Sequence, residues 1–346
     1  MSSRGFIQSL PKAELHLHLE GSVEPATLAE LSCRHNVPLP TENNRYDVTG
    51  SGDELSEEDV RSLYAYKNFA GFMLAFKAVT ERLRDPEDYE LVTYRLMQRL
   101  RQQNVLHAEV FVSVGVIRWR GQEFSPIFEG LERGRERGQR DFGVSLLWIF
   151  DAVRHFGQEA AAEVFDMAAQ LRERNVVGIG IGGDERRGPA EWFRDPFRKA
   201  ADQGLRLTAH AGETTGPESV WGALNMGVER IGHGLSIARD PELLEVLAHK
   251  QVPVEICISS NLRTGVCAEL SEHPVRRFFD EGLMITLNTD DPAMFQTSLG
   301  KEYEIAAESF GFTQDQLREL ARNSFEASFL PVEKKLRFLQ QLDRLP

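Results

Sequence analysis

Residues 12–22 read KAELHLHLEGS. Ala13, Leu15, Leu17 and Leu19 alternate with Glu14, His16, His18 and Glu20, which is the period of a β-strand. The alternation puts His16 and His18 on one face, so both imidazoles can reach one point. Neutral imidazole is a favoured zinc ligand, and a catalytic zinc takes three protein ligands with a fourth position open. The strand stops at Gly21, as a strand ending at an active-site mouth would. Taken alone, the same eleven residues also describe a half-buried strand with two polar-face histidines, so the rest of the chain has to decide.

Outward from this stretch a rhythm appears. Apolar, β-branched runs recur at 105–114, 142–150, 176–182, 205–210, 228–233, 252–258 and 283–289, which with the first strand makes eight. Helical patterns separate them at 125–138, 158–174, 190–203, 217–226, 240–250 and 272–281. Alternating strands and helices imply parallel pairing, and eight such units imply an α/β fold of the (β/α)8 TIM-barrel type. We expect a single barrel domain over 1–346, with a helical insertion after strand 1 (residues 20–104) and C-terminal helices over 313–345. Thr313 and Gln316 have the spacing of a capping box.

Within the insertion, 40–59 is polar and Gly-containing and reads as a mobile loop. Phe69, Phe72, Met73 and Phe76 share one helical face. They are either ordinary core or an apolar lid over the site that begins at Glu20. The charged run LERGRERGQRD, 131–141, reads as a solvated helix face and turn.

The 346 residues carry a formal net charge of −13, which repels phosphates, and no basic stripe offsets it; nucleic acid is not an expected partner. Three cysteines (Cys33, Cys257 and Cys267) form no disulfide framework and fit a reduced compartment. MSSRGFIQSL holds no apolar signal region, and no stretch approaches 18 apolar residues, so a cytoplasmic protein without membrane attachment is expected.

In a barrel of this type the active site lies at the C-terminal ends of the strands. There the sequence places His16, His18 and Glu20; Gly182-Gly183-Asp184-Glu185; His210 and Glu213; His233; Ser259-Ser260-Asn261; and Asp290-Asp291. Four of the nine histidines fall on this rim. The other five (His35, His107, His155, His249 and His273) read as structural or surface residues. Two decoys fall away. GIGIGGDE is not a GxGxxG opening a helix, so a dinucleotide site is not expected. His107-Ala108-Glu109 spells the HxE of cytidine-type deaminases but lacks their PCxxC.

With these residues in place, the chain resembles the adenosine deaminase group of the amidohydrolase superfamily. ELHLHLEGS, GGDE, HAGE, IGHG, SSNLRTG, TDDPAMF and NSFEASFL occur in the expected order over nearly the whole chain. The resemblance implies a hydrolytic deaminase with one Zn2+ per chain, bound by His16, His18, His210 and Asp290. It implies that His233 takes or orients the proton of a water, that Glu213 protonates purine N1, that Asp291 accepts or shares a hydrogen bond at the N7 side and that the Gly183 N–H meets N3. The implied substrate is a small-molecule purine nucleoside carrying a 6-amino group.

Two positions depart from the common pattern: Glu20 stands where an Asp often binds the ribose 5′ hydroxyl, and Gly180 replaces another Asp. Arg263 adds a cation near the mouth. The set is similar to relatives that deaminate 6-amino-6-deoxyfutalosine in menaquinone biosynthesis, where a carboxyphenyl ketone replaces that hydroxyl. Free-adenine deaminases also use Glu at position 20. Two other readings compete. A two-metal lactonase or phosphoesterase would need a bridging carboxylated Lys, and strand 4 ends without one. A non-catalytic binding protein would not need Glu213 and His233.

Overall fold

The computed structural model describes residues 3–38, 57–66 and 69–345, the side chains of 57–59 and 69–70 excepted. Eight strands run parallel in the order β1 to β8: β1 Lys12–His18, β2 Val105–Val112, β3 Ser145–Val153, β4 Val176–Gly182, β5 Arg206–Ala211, β6 Arg230–His233, β7 Val254–Ile256 and β8 Ile285–Leu287. Helices fill the connections, giving the expected (β/α)8 barrel. The ring closes just beyond β8. The His18 N–H donates to Asp290 O (2.8 Å) and the Asp290 N–H to His16 O (3.0 Å), so the closing bonds run through three of the expected ligand residues.

β1 is buried along its whole length. Ala13 and Leu15 pack on Phe325 and Ala327 of the C-terminal helix Gln314–Ala327. His16, in the other phase, meets a charged network inside the barrel, where aliphatic side chains more often sit. His16 Nδ1 lies 2.8 Å from Glu255 Oε2, Glu255 Oε1 pairs with Arg230 Nε at 2.6 Å, and Arg230 pairs with Glu109. His107 joins this network through Glu109 (3.3 Å) and is a barrel residue, as expected.

The insertion is helical: Pro25–His35, Glu57–Leu63, Phe69–Arg82 and Pro86–Gln102. The stretch expected as a loop over 40–59 lies outside the described residues up to 56, and its last three residues open the second of these helices. The last helix buries Val92, Leu96 and Leu100, as its periodicity predicts, and its N-terminus carries an Asp85–Asp88 capping box. The Thr313–Gln316 capping box also forms.

The run 131–141 is not simply a solvated face. It lies in the helix Phe124–Phe142, where Glu132 and Arg135 are buried and paired at 2.8 Å. Glu132 also accepts from Trp148 Nε1 (2.7 Å) and Asn175 Nδ2 (2.8 Å). Gly130, Gly134 and Gly138, four apart, form a stripe against Pro86–Gln102; a Cβ at Gly130 would stand 2.0 Å from Pro86 O. The charges therefore satisfy one another under a close helix–helix crossing. No described helix is long and apolar enough to cross a membrane.

Candidate active site

The strand ends bring the predicted histidines and carboxylate to one point. One ring nitrogen each of His16, His210 and His233 and a carboxylate oxygen of Asp290 lie within 4.8 Å of one another, all buried. His18 Nε2 reaches the same point, 3.2 Å from His210 Nε2 and 3.3 Å from Asp290 Oδ1. Three of the groups are oriented from behind. His16 is held through Nδ1 by Glu255, His210 Nδ1 faces Ile181 O (3.2 Å), and Ser260 Oγ donates to Asp290 Oδ2 (2.7 Å), which leaves Oδ1 toward the histidines. Such outer partners fix ring orientation at metal sites. A Cβ at Gly232 would stand 2.7 Å from His16 Cε1, so the glycine of IGHG is where that ring packs.

The residues present fit a metal ion. His16 Nε2 is buried with no hydrogen-bond partner among the described residues. Burial opposes charge on His16, but the Asp290 carboxylate 3.5 Å from Nε2 and the hydrogen-bonded Glu255 carboxylate outweigh it and hold the ring's pKa at about 10. The same carboxylates favour a divalent cation at Nε2 in place of that proton. Burial depresses His18 to about 3 and His210 well below the usual range, so both rings are neutral lone-pair donors at neutral pH.

Asp290 and Asp291 are pushed apart. Burial works against ionising Asp290, yet the His16 hydrogen bond and the neighbouring imidazoles hold its carboxyl well below the usual range. Burial, the Asp290 charge and Glu20 push Asp291 well above it, which favours its protonated form, and its Oδ1 has no partner among the described residues. Both His233 (φ 63°) and Asp290 (φ 64°) sit in the left-handed region, at a cost of roughly 1–3 kcal/mol each that the surrounding hydrogen bonds sustain.

Glu213 lies at the edge of this pocket, its Oε2 3.8 Å from His233 Nε2, and burial raises its pKa. The HAGE turn that carries it is clamped by buried Glu185. That carboxylate accepts the N–H groups of Gly212, Glu213 and Thr214 at 2.9 Å each and the hydroxyls of Thr215 and Ser219 at 2.6 Å each. Sequence reasoning put Glu185 on the rim without a task; five donors converging on one carboxylate supply it. An open cleft of about 680 Å3 lies over Glu213, between Arg186, Thr214, Arg239 and Val266.

The remaining predicted residues lie beyond the ends of β1, β4 and β7 and in the insertion. Glu20 is buried; Oε1 accepts the Ser113 N–H (3.0 Å), Oε2 has no described partner, and burial pushes its pKa up to about 7. Gly183 is exposed at φ 91°, packed beside His155, which therefore stands at the rim and not on a remote surface. Phe72 is half-buried in the helix Phe69–Arg82 and stacks on Phe295 at 5.1 Å, four residues after Asp291. Met73 on the same helix is exposed, and the Phe69 side chain lies outside the described residues. Arg263 is half-buried, donating from Nη2 to Tyr64 O (3.0 Å) with its guanidinium 5.3 Å from the Tyr66 ring centre. Its Nε is buried without a described acceptor, which distinguishes it from a solvated loop arginine.

Gly180 does not simply remove bulk. A Cβ there would stand 2.6 Å from Phe111 Cε1 and 3.0 Å from Asp151 Oδ1, so side chains of β2 and β3 occupy the space. Asp151 thus returns a carboxyl to this corner of the site, with Oδ1 unpartnered and its pKa pushed by burial and by Glu20 to about 8.

The adenosine deaminase family model matches residues 11–345. The chain is 39% identical over 342 residues to the aminodeoxyfutalosine deaminase of Streptomyces avermitilis, covering 98% of this chain and 92% of that protein. It is 36% identical over 340 residues to the adenine deaminase of Hahella chejuensis, covering 98% of each. Its fold is similar to that of a zinc-bound amidohydrolase of Burkholderia ambifaria, with a TM-score of 0.85, 26% identity, and 99% of this chain and 93% of that chain covered. The barrel, the convergent histidines and carboxylates and these likenesses agree, and the chain belongs to the adenosine deaminase family of hydrolytic deaminases.

Proposed function

We propose that the chain is a zinc-dependent aminohydrolase that replaces the 6-amino group of a purine nucleoside with oxygen and releases ammonia. The observation that carries this reading is the convergence of His16, His18, His210 and Asp290 on one buried point with Glu213 and His233 beside it. The first four would hold the ion. Bound zinc would supply Lewis-acid activation, bringing the pKa of water toward ~7.

The other residues have separate tasks. His233 orients the attacking water. Glu213, whose protonated form burial favours, gives its proton to N1 as the water oxygen adds to C6. Protonated Asp291 donates to N7, which has only a lone pair to offer, and the Gly183 N–H meets N3. Loss of ammonia from the tetrahedral carbon, with the water's protons distributed to the leaving nitrogen and Glu213, completes the exchange.

At the sugar end the preferred substrate is 5′-extended and acidic, of the 6-amino-6-deoxyfutalosine class, which would place the chain in menaquinone biosynthesis. Two observations support this: the unpartnered Arg263 Nε, since a guanidinium grips a carboxylate in bidentate fashion, and the 39% identity to an enzyme of that name. Adenosine is the next candidate, because Glu20 Oε2 is a free acceptor for a ribose hydroxyl. Free adenine follows, supported by the same Glu20 and by the 36% identical relative.

The test is ammonia release from 6-amino-6-deoxyfutalosine, adenosine, 2′-deoxyadenosine, 5′-modified adenosines and adenine by the zinc-loaded protein. Turnover of the 5′-extended nucleoside above the rest is expected. No release from any of them would remove the deaminase reading, and a strong preference for adenosine or adenine would remove only the 5′-extended substrate.

A further inference from the structure

Behind His233 lies a chain of buried hydrogen bonds that the catalytic scheme does not use. The Val275 N–H meets His273 Nδ1 at 3.2 Å, His273 Nε2 lies 3.1 Å from Asn261 Oδ1, and Asn261 Nδ2 lies 3.1 Å from His233 Nδ1. Asn261, His273 and His233 are all buried. Only the first of these contacts has its direction fixed by covalent structure, because a backbone N–H can donate and cannot accept.

That one direction propagates. His273 Nδ1 must be the acceptor, so a neutral ring carries its proton on Nε2. Asn261 must then present oxygen to His273 and its NH2 group to His233. The NH2 group donates, so His233 Nδ1 must be a lone pair. The opposite amide orientation would leave His273 Nε2–H facing an N–H donor, and a protonated His233 Nδ1 would face the Asn261 donor. Burial keeps His273 neutral by lowering its pKa to about 4.

We propose that Val275, His273 and Asn261 form a one-way relay that holds His233 with its proton on Nε2. His233 is then a fixed hydrogen-bond donor to the attacking water and to the oxygen added at C6, and not the base that removes the water's proton. The Nε2 side is the one that faces Glu213, at 3.8 Å. Asn261 and His273 are positioning residues, acting only through His233. The role toward water rests on the deaminase reading, whereas the tautomer is a property of the folded chain alone.

The experiment is a two-bond 1H–15N correlation spectrum of the full chain labelled with 15N-histidine, metal-free and zinc-loaded. The His233 signals are identified by their loss in His233→Ala. In wild type, a protonated-type Nε2 and a lone-pair-type Nδ1 are expected; the reverse pattern, or an imidazolium, would overturn the proposal. Asn261→Asp keeps the shape but can only accept, so His233 should move its proton to Nδ1. Zinc content should stay the same and KM should change little, while kcat falls by about ten-fold or more.

Persistence of the Nε2 proton in Asn261→Asp would overturn the relay. His273→Gln can still accept from Val275 and donate to Asn261, and should keep the wild-type tautomer; a switch there would also overturn it. The wild-type and His273→Gln spectra decide the matter even if Asn261→Asp does not fold. Failure of every 6-aminopurine in the ammonia assay would touch the role toward water and leave the tautomer standing.

Discussion

The two ends of this site are built on different principles. At the end where the histidines converge, main-chain bonds that close the barrel run through His16, His18 and Asp290, and Glu255, Ile181 O and Ser260 hold the side chains of His16, His210 and Asp290. At the other end Glu20 and Arg263 come from the segments that follow β1 and β7 and Asp151 from β3 itself, and they keep buried atoms in reserve: Glu20 Oε2, Asp151 Oδ1 and Arg263 Nε. An unpartnered buried polar atom is costly, about 1–3 kcal/mol, and a ligand that completes it recovers that cost. The difference teaches where the chain fixes its polar groups and where it leaves them free for a ligand; on the proposed function the first set carries the reaction and the second the choice of substrate.

The largest effect that could break this contrast is removal of the metal. Exhaustive chelation should reduce turnover to background, and about one zinc per chain, by elemental analysis, should restore it. Two tightly held metals, or activity indifferent to chelation, would show that the metal end has been misread. Next comes Glu213→Gln, which preserves size and removes the proton. Turnover should fall by at least about 10²-fold while zinc content stays unchanged. Near-normal turnover would mean that N1 receives its proton from another group.

A third test concerns the reserve at Glu20. Its pKa in the folded chain, about 7, lies above the 4.5 of an exposed glutamate, so the folded state favours the protonated form. The associated stability is fully present below about pH 4.5 and is lost as pH rises through 7. Glu20→Gln does not titrate and can still accept from Ser113. Relative to wild type it should therefore gain about 3 kcal/mol between pH 5 and pH 9, read as a difference in Tm. A pH-independent difference would show that Glu20 ionises normally. The smallest effect belongs to Phe72→Ala, which loses the stack on Phe295. KM should rise roughly five-fold, equivalent to about 1 kcal/mol of aromatic contact, with metal content intact. Failure to fold would assign the Phe72 face to the core and not to a lid.

The barrel and the convergence of its histidines with Asp290 are legible in the sequence because strand alternation and helix periodicity are local, and because each of these residues stands at the end of an apolar run. What escaped depends on contacts between distant segments. Asp151 was missed because the third strand was read as ending at Phe150; it continues to Val153, and nothing local announces that its carboxyl fills the space left by Gly180. His273 was set aside as a lone histidine, since its connection to His233 passes through Asn261 and the Val275 backbone. The run 131–141 looked solvated because charge was counted without its partners; Glu132 is satisfied from Arg135, from Trp148 on β3 and from Asn175. A signal for the last was present: three glycines spaced by four in one helix are more consistent with a close crossing than with a free face.

The contrast between the two ends is tested most directly by kcat/KM for 6-amino-6-deoxyfutalosine and for adenosine, on wild type and on Arg263→Ala. If Arg263 grips the acidic 5′ extension, its loss should cost about 1.5–3 kcal/mol, or about ten- to a hundred-fold, for the acidic nucleoside and little for adenosine. Equal losses on both substrates, or a wild type that strongly prefers adenosine, would contradict the assignment of the sugar end.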